Sequence, residues 1–339
     1  MRLLVFGGSS FVGRAVVTEA LSRGHAVTTF NRGRSGLDVP GVEAVRGDRA
    51  RDEDIGVLAG RTFDAAIDVS GLVPAHVRRS SRALAGTVPF YAYVSSVSAY
   101  RYGDSEPADE DAPLHEGRAT EDGEPTDYSA YGRRKSGCEL AVHQAFPADS
   151  VLIVRPGSII GPHDNLGHLP WWLCRISRGG TVLAPEDPGR VIQLIDARDL
   201  AAFVVGRVEE QSGGTFNTVV DAPTSTMGDL LDECVATTGA RASLVWVDET
   251  FLAAHSAQPW YEVPLWLPDT ADFRAVWAVP GSAAAAAGLN CRPLDQSVHD
   301  TWSWLQSGGT VRTLPGLPAV GMNPEKEKRL LAAWLGRRA

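Results

Sequence analysis

The fold is decided by eleven residues near the start of the chain, LLVFGGSSFVG at positions 3–13. The apolar run at 3–6 has the length of a buried strand, and the glycines that follow it end the strand. From Phe11 onward apolar residues recur at helical spacing, and Gly24 is placed to cap the end of that helix. A strand, a glycine turn and a helix in this order point backbone amides at an anion and let a pyrophosphate approach closely. We therefore predict a dinucleotide site formed by Gly7, Ser9, Ser10, Phe11, Val12 and Gly13.

The same alternation of strand and helix continues along the first half of the chain. Further strands are predicted at 26–30, 42–45, 65–69, 90–94 and 151–154, and helices at 75–85 and 129–146. This rhythm predicts an α/β fold, a doubly wound parallel sheet of the Rossmann type. We expect residues 1–161 to form this domain, with 191–222 returning to it. Residues 162–190 and 223–339 are expected to form a smaller, interleaved C-terminal lobe that binds the substrate.

Composition and charge exclude several classes of protein. With 44% hydrophobic and 22% charged residues over 339 positions, the chain is globular rather than disordered or fibrous. No apolar run reaches the roughly 18 residues of a membrane helix, and the first apolar stretch is too short for a secretory signal. The net charge of −9 disfavours nucleic acid as the main partner. Four dispersed cysteines without a CxxC motif disfavour disulfides and zinc, so we expect no metal and a cytoplasmic location.

Two regions differ in texture from the rest of the chain. Residues 101–127 hold ten acidic residues and three prolines, which predicts a long surface loop. This loop is either a solvated insertion or a flap bordering the active site. All nine tryptophans lie in the second half, and Trp171-Trp172 with Trp260-Tyr261 are candidates for the walls of an apolar pocket.

The end of the second predicted strand indicates which dinucleotide binds. NAD sites usually place a carboxylate there for the ribose 2′-hydroxyl, whereas this chain has Asn31 and Arg32. A guanidinium binds a 2′-phosphate in a bidentate manner, so NADP is favoured over NAD. Asp48, after the third strand, is placed to accept a hydrogen bond from the adenine amino group. The fourth strand ends beside the same cofactor, at Val69, Ser70 and Gly71.

Tyr131 and Lys135 lie four residues apart on a predicted helix, so the phenol and the ammonium share one face. With seven tyrosines and three lysines in the chain, this spacing is rare by chance. Upstream, the strand at 90–94 leads into the hydroxyl-rich segment SSVSAY at 95–100. Together with the glycine turn, Asp48, the segment RPGSIIGP at 155–162 and the run DARDLA at 196–201, these motifs carry a clear resemblance. The chain resembles the short-chain dehydrogenase/reductase superfamily, in its extended branch of epimerases, dehydratases and reductases, over about residues 1–220.

The resemblance implies roles for individual residues. Tyr131 would be the general acid/base, and Ser96 would polarise the reacting oxygen. Lys135 would bind the nicotinamide ribose and lower the pKa of the phenol. Tyr131 and Lys135 thereby also contact the cofactor, as do Pro156 and Ser158. Two other hydroxyls, those of Ser95 and Ser98, remain alternatives to Ser96.

Three positions depart from the pattern of the branch. Ser10 stands where the glycine turn usually has another glycine. Ser158 stands where nucleotide-sugar enzymes carry an asparagine that contacts the sugar diphosphate. Ile192 stands where they carry an arginine that binds the diphosphate, and Arg190 lies two residues away. The loss of both anchors disfavours a nucleotide-sugar substrate.

The sequence therefore predicts an NADP-dependent oxidoreductase that reduces a carbonyl, or oxidises a secondary alcohol, of a small metabolite. One alternative is a nucleotide-sugar epimerase or dehydratase. Another, from a different class, is a cofactor-dependent binding or RNA-interacting protein without turnover. The glycine turn with Ser10 resembles a divergent subgroup of the superfamily, and that subgroup includes plastid RNA-binding proteins. We expect a small-molecule substrate and neither a membrane nor a nucleic acid as partner. A homodimer is left open.

Overall fold

The structure is a computed structural model that describes residues 1–102, 108–123, 128–222, 225–311 and 318–337, without the side chains of Tyr128, Ser129 and Asp272. Its strands are β1 (Arg2–Phe6), β2 (Ala26–Asn31), β3 (Glu43–Arg46), β4 (Ala65–Asp68), β5 (Tyr91–Val94), β6 (Val151–Pro156), β7 (Ser158–Ile160), β8 (Gly180–Pro185), β9 (Leu194–Asp196), β10 (Gly214–Thr218) and β11 (Ala242–Val247). Its helices are α1 (Phe11–Ser22), α2 (Asp52–Ile55), α3 (Pro74–Leu84), α4 (Tyr128–His143), α5 (His168–Ser177), α6 (Ala197–Glu209), α7 (Met227–Thr238), α8 (Glu249–Ala254), α9 (Ala271–Val276), α10 (Ser282–Ala286), α11 (Leu294–Gln306) and α12 (Pro324–Gly336).

The main sheet has the order β10-β6-β5-β4-β1-β2-β3, and each neighbouring pair is parallel. Helix α1 packs against α6, and α3 packs against α4. The apolar residues of α3 and α4 share one core with sheet residues such as Leu4, Phe6 and Ile153. The expected α/β doubly wound fold is confirmed, because parallel strands connected through helices bury their sheet on both faces.

The chain divides into two compact units, which we call the first and the second unit. The first unit comprises Met1–Ile159, Ala197–Ala222 and Ala278–Cys291, and the second comprises Ile160–Asp196, Pro223–Trp277 and Arg292–Ala339. The returning segment thus begins at Ala197 instead of 191. A second return, Ala278–Cys291, is absent from the expectation. It joins the first unit because Val279 is buried beside Val219 and Tyr100.

The second unit has its own core, built on the parallel pair β8 and β11 and on helices α5, α7 and α11. Trp172 lies at its centre, fully buried, and its indole N–H donates to the carbonyl of Pro264 at 2.8 Å. This core also contains Trp266, Trp277 and Trp334. Four more are partly buried against this core: Trp171, Trp246, Trp260 and Trp302. Most of the nine tryptophans are therefore packing residues of this unit.

Candidate functional site

Strand β1 ends at Phe6 in a turn that only glycine can form. Gly7 and Gly8 have φ angles of +107° and +93°, which favour glycine. A Cβ on Gly13 would lie 2.7 Å from the amide nitrogen of Gly8, so the first turn of α1 packs directly on the turn. The amide of Gly7 donates to the carbonyl of Phe30 at 3.0 Å, which ties the turn to the end of β2. The turn therefore brings backbone, free of side chains, to the carboxyl edge of the sheet.

The N-terminus of α1 is open to an anion. Ser10 is its N-cap residue, but the Ser10 side chain makes no capping hydrogen bond, and the first turn carries no acidic residue. Phe11 has φ +37°, a strained backbone of the kind that clusters at functional sites. Amides without a capping partner at a helix N-terminus are the groups that bind phosphate. Ser9 is buried, while Ser10 and Val12 are half-buried beside these amides, so the turn fits a dinucleotide pyrophosphate.

The end of β2 is an ordered cluster of polar groups. The Asn31 side-chain amide donates to the carbonyl of Gly7 at 3.0 Å, and its oxygen accepts from the amide of Gly33 at 2.8 Å. Arg32 is exposed, with its Nη1 atom 3.9 Å from a carboxylate oxygen of Asp48. The other Asp48 oxygen accepts from the amide of Ala50 at 3.0 Å, so it is engaged in its own turn.

Residues after β4 approach the same turn from the other side. Val69 is half-buried, and its methyl group would lie 3.0 Å from a Cβ on Gly7. Ser70 is exposed, and its amide donates to the Asp68 carboxylate at 3.2 Å. Gly71 has no room for a side chain, because a Cβ there would lie 2.6 Å from the ring of Tyr93. The structure thus groups these three predicted cofactor residues with the glycine turn.

Tyr131 lies on α4, and its hydroxyl is approached by the side chain of Ser96, which follows the end of β5. The Ser96 hydroxyl accepts from the amide of Ser98 at 3.1 Å, which fixes its rotamer. Burial raises the pKa of Tyr131 to about 12, and the interaction with Ser96 opposes that rise. The phenol is therefore protonated at neutral pH, contrary to the expected lowering of its pKa.

The contacts of Lys135 explain that difference. Its ammonium donates to the carbonyls of Gly71 and Val94, each at 2.9 Å, and lies 3.3 Å from the Tyr93 hydroxyl. It lies 5.9 Å from the centroid of the Tyr131 ring. Burial lowers the pKa of Lys135. The ammonium is held one helical turn from the phenol on the same face, as the spacing predicts, but it hydrogen-bonds backbone carbonyls and not the phenol oxygen.

Glu139 continues this face of α4 by one more turn and joins it to the sheet through a buried ion pair. Its carboxylate accepts from Arg155 Nε at 3.0 Å and Arg155 Nη2 at 2.7 Å, and from the Ser95 hydroxyl. Arg155 Nη1 donates to the Tyr100 hydroxyl at 2.8 Å, which in turn donates to Asn217 at 2.7 Å. Glu139 was not singled out from the sequence, although its spacing of four from Lys135 was a visible signal. Because the Ser95 hydroxyl donates its hydrogen bond to Glu139, it is a poor candidate for the catalytic hydroxyl.

The remaining predicted residues of the first unit lie at the end of its first segment, Met1–Ile159. Pro156 ends β6 and is buried, and Ser158 begins β7 and is half-buried. Of the acidic loop at 101–127, residues 103–107 and 124–127 lie outside the described part. Its described remainder is partly packed, since Ala108 and Ala119 are buried and the carbonyl of Glu110 accepts from Arg155 at 3.0 Å. These residues therefore do not form a purely solvated insertion.

Ile192 and Arg190, the residues at and near the position of the diphosphate-binding arginine in nucleotide-sugar enzymes, both lie in the second unit. Ile192 is 2% exposed and belongs to the hydrophobic core. The guanidinium of Arg190 donates to the carbonyl of Leu267 at 2.6 Å and lies 3.4 Å from the carboxylate of Glu249. Ile192 cannot bind an anion, and Arg190 is already engaged.

The second unit also carries a cavity of about 320 Å³. Its aromatic walls are Trp171, Trp260 and Tyr261, in agreement with the expectation from the sequence, whereas Trp172 points into the core. His168 also lines it, and burial lowers the pKa of that imidazole to about 4.

Within the ranges given above, no three His, Cys, Asp or Glu side chains are grouped so that they would hold a metal ion. None of the helices in the described part of the chain is both long and apolar enough to span a membrane.

The fold and the site together define a class: an α/β protein that binds a dinucleotide at the carboxyl edge of a doubly wound sheet. Comparison with known proteins identifies the family within that class. Residues 3–218 match the model of the NAD dependent epimerase/dehydratase family, so the chain belongs to that family.

Two curated relatives match more than half of the chain. One is "Uncharacterized protein y4nG" of Sinorhizobium fredii, 24% identical over 272 residues, which are 75% of this chain and 65% of the relative. The other is the chloroplast stem-loop binding protein of 41 kDa b of Arabidopsis thaliana, 27% identical over 236 residues, which are 64% of this chain and 58% of the relative. The chain thus spans less than two thirds of the length of either relative.

Solved structures share the fold at lower identity. The Bordetella bronchiseptica enzyme WbmH in complex with NAD+ superimposes with a TM-score of 0.71 at 16% identity, covering 91% of this chain and 99% of that one. The UDP-glucose 4-epimerase of Thermotoga maritima with UDP-glucose gives 0.70 at 16% identity, with coverages of 91% and 99%. At these identities the likeness supports the fold.

Proposed function

We propose that this chain is an NADP-dependent oxidoreductase that reduces a carbonyl group of a small molecule, or oxidises the corresponding secondary alcohol. The observation that carries the proposal is the approach of the Ser96 side chain to the Tyr131 hydroxyl, with Lys135 one helical turn away. These groups follow β5 and lie on α4, in the same unit as the glycine turn. When bound, the nicotinamide supplies or accepts the hydride.

In this mechanism Tyr131 moves the substrate proton. Its hydroxyl, protonated at neutral pH, donates to the carbonyl oxygen, and Ser96 holds that oxygen by a second hydrogen bond. Because the phenol carries its proton at neutral pH, it can act as the donor in the direction of reduction. Lys135 would bind the cofactor ribose through its ammonium, which the carbonyls of Gly71 and Val94 hold in place.

The first part of the proposal is the preference for NADP over NAD. Its support is Arg32, whose side chain is 54% exposed at the end of β2. Calorimetry should give NADPH an affinity at least about tenfold higher than that of NADH, and Arg32→Ala should remove most of that difference. Equal affinities in the unmodified protein would contradict the preference.

A nucleotide-sugar epimerase is the second candidate, favoured by the family of the chain and by neighbours such as the Thermotoga maritima enzyme. What weighs against it is the second unit, where Ile192 is buried and Arg190 is engaged with Leu267 and Glu249. Neither residue is free to bind a diphosphate. The missing asparagine at Ser158 argues in the same direction.

One experiment separates the two candidates. Fractions of a small-molecule extract are incubated with the protein and NADPH, and Tyr131→Phe serves as the blank. A reductase consumes substrate and NADPH in a one-to-one ratio. UDP-glucose is tested in parallel with NAD+ or NADP+, because epimerisation begins with hydride transfer to the oxidised cofactor, and it should not be converted. Conversion of UDP-glucose without net reduction of the cofactor would replace our proposal with the epimerase.

The RNA-binding alternative rests on the Arabidopsis thaliana relative, whose name describes stem-loop binding. The net charge of −9 and the Ser96–Tyr131 contact weigh against it. A gel-shift titration with a stem-loop RNA at physiological salt is its test. Micromolar binding that NADPH does not weaken would favour it.

A further inference from the structure

A second guanidinium lies at the end of β3, next to the predicted 2′ end of the cofactor site at the end of β2. Arg46 is the last residue of β3, paired in register with Asn31 of β2. Its Nη1 atom donates to the Asn31 side-chain oxygen at 2.7 Å and to Asp38 Oδ1 at 3.1 Å. Its Nη2 atom donates to the other oxygen of Asp38. The Arg46 guanidinium thus binds the Asp38 carboxylate in a bidentate manner.

The loop that carries Asp38 lies across the glycine turn. A Cβ on Gly36 would be 2.8 Å from the carbonyl oxygen of Ser9, so the two backbones touch. Gly33, at the start of this loop, has φ +68°. It lies so close to the Arg46 side chain that a Cβ on Gly33 would be 3.0 Å from the Arg46 Nε atom. The Asp38–Arg46 pair therefore lies beside the predicted dinucleotide site and not on a remote surface.

The pair presents a preformed anion position. A carboxylate and a phosphate monoester offer a guanidinium the same two oxygens at similar spacing. Arg46 keeps 47% of its side chain exposed, and Arg32 keeps 54%. Arg46 lowers the pKa of Asp38, so the carboxylate is charged at neutral pH. Arg46 thus presents an accessible cation to a position that an anionic oxygen pair already fills.

We propose that Arg46 is a second specificity-determining residue, which binds the 2′-phosphate of NADP together with Arg32, and that the Asp38 carboxylate occupies the phosphate position until the cofactor displaces it. The inference rests on the proposed NADP preference. It adds Arg46 as a second phosphate-binding residue and Asp38 as a group that competes with the phosphate for Arg46. It predicts opposite effects for two substitutions in one ion pair. Loss of Arg46 weakens NADPH binding, whereas neutralising Asp38 strengthens it.

The competing explanation gives Asp38 the role that carboxylates have in NAD sites, where they bind the ribose 2′-hydroxyl. In that case Arg46 only orients Asp38. Neutralising Asp38 would then weaken NADH binding and leave NADPH binding unimproved. The sign of the Asp38→Asn effect on each cofactor distinguishes the two.

The experiment is calorimetric titration of the full chain with NADPH, NADH and the fragments 2′,5′-ADP and 5′-ADP. We expect Arg46→Ala to weaken NADPH and 2′,5′-ADP about tenfold, the scale of a lost bidentate contact, with NADH within about twofold. Asp38→Asn should tighten NADPH and 2′,5′-ADP about threefold or more, because a charge close to the phosphate disappears. The matched control is Arg2→Ala, which removes one charge and one exposed Arg–Asp pair, with Asp64, where β1 begins. It should change neither cofactor.

The outcomes separate this inference from the proposed function. If the unmodified protein prefers NADPH and Arg46→Ala keeps that preference, Arg32 alone carries it and our inference is wrong. If Asp38→Asn weakens NADH and does not tighten NADPH, the competing explanation holds. If the unmodified protein binds both cofactors equally, the NADP preference itself fails, while 2′,5′-ADP binding still tests Arg46 directly.

Discussion

At the scale of single residues, the Tyr131 hydroxyl is the group on which the proposed chemistry depends. Tyr131→Phe keeps the ring and its packing but removes the proton donor. We expect turnover to fall by roughly 10²–10⁴, the usual contribution of general acid catalysis, with NADPH affinity within about twofold of the unmodified protein. Turnover is measured by NADPH consumption and affinity by calorimetry.

The control is Tyr102→Phe, which removes another hydroxyl of the first unit, one that donates to the carbonyl of Val97. That variant should keep its turnover. Lys135→Ala should differ from both, because it weakens NADPH binding and also removes the hydrogen bonds from Lys135 to the carbonyls of Gly71 and Val94. More than about a tenth of the turnover surviving in Tyr131→Phe, against the general-acid range, would mean that the chain uses the fold without this mechanism.

At the scale of elements, the start of α5 holds two buried groups with opposite pKa shifts. Burial raises the pKa of Asp164 to about 6 and lowers that of His168 to about 4. Between these values the folded chain holds a protonated Asp164 and a neutral His168, whereas the unfolded chain holds a carboxylate and an imidazolium. The proton count is the same, so the two contributions to the pH dependence of stability cancel there.

Single substitutions should separate the two opposing slopes. In Asp164→Asn, His168 acts alone, so the free energy of unfolding should fall as pH falls from 6.5 through 4. In His168→Gln, Asp164 acts alone, so this free energy should fall as pH rises from 3.8 through 6. Each change should be on the order of 3 kcal/mol at most. Urea unfolding at several pH values measures both variants, and parallel slopes in the two would contradict the assignment.

The ion pair between α4 and β6 is a second element-scale feature with a clear consequence. Glu139→Gln leaves Arg155 buried without its counter-charge, which should destabilise the fold by about 3–5 kcal/mol. Since Glu139 also holds α4 against Ser95, the adjacent Ser96 and Tyr131 should lose their alignment. We expect turnover to fall at least about tenfold, part of the general-acid contribution, with NADPH affinity nearly unchanged.

A matched pair in the second unit provides the control for this prediction. Glu327 is also buried, and it binds Arg175 Nε at 2.6 Å. Glu327→Gln should lower the stability by a similar amount without lowering turnover at a temperature where both variants are folded. Equal losses of turnover in the two variants would reduce Glu139 to a structural residue. Urea unfolding and NADPH consumption are the two measurements.

At the scale of the whole molecule, the two units should respond separately to core substitutions. Val279 and Val298 are both buried, but the first lies in the returning segment Ala278–Cys291 and the second in α11. Replacing either valine by alanine should cost roughly 1–3 kcal/mol. Hydrogen exchange should then accelerate in β10 and β6 for Val279→Ala, and in α5 and α7 for Val298→Ala. Acceleration of α5 in both variants would contradict the division.

Much of the first unit follows from the sequence, because its signals are local. Buried parallel strands read as apolar runs, and the glycine turn occurs where φ is positive. The helix expected at 129–146 is α4, Tyr128–His143. The spacing of Tyr131 and Lys135 also predicts their shared face, because helix geometry alone sets it.

What the sequence did not reveal depends on contacts between distant residues. The Asp38–Arg46 pair needs the loop to cross the glycine turn, which no local pattern encodes. The return of Ala278–Cys291 rests on a few apolar contacts of a short alanine-rich helix. The pKa of Tyr131 depends on where the Lys135 ammonium hydrogen-bonds, and three backbone and side-chain partners decide that. The spacing of residues along a helix predicts which side chains share a face, but it does not predict their hydrogen-bond partners.

The strand order of the main sheet also has a consequence for synthesis on the ribosome. Strand β6 (Val151–Pro156) is made well before its outer neighbour β10 (Gly214–Thr218), because the segment Ile160–Asp196 of the second unit and helix α6 are translated in between. During that interval the nascent sheet presents an apolar, unpaired parallel edge. Such edges recruit other chains. The interleaved order of the chain thus creates a period of translation in which aggregation competes with folding, and it lasts until β10 emerges and covers the edge.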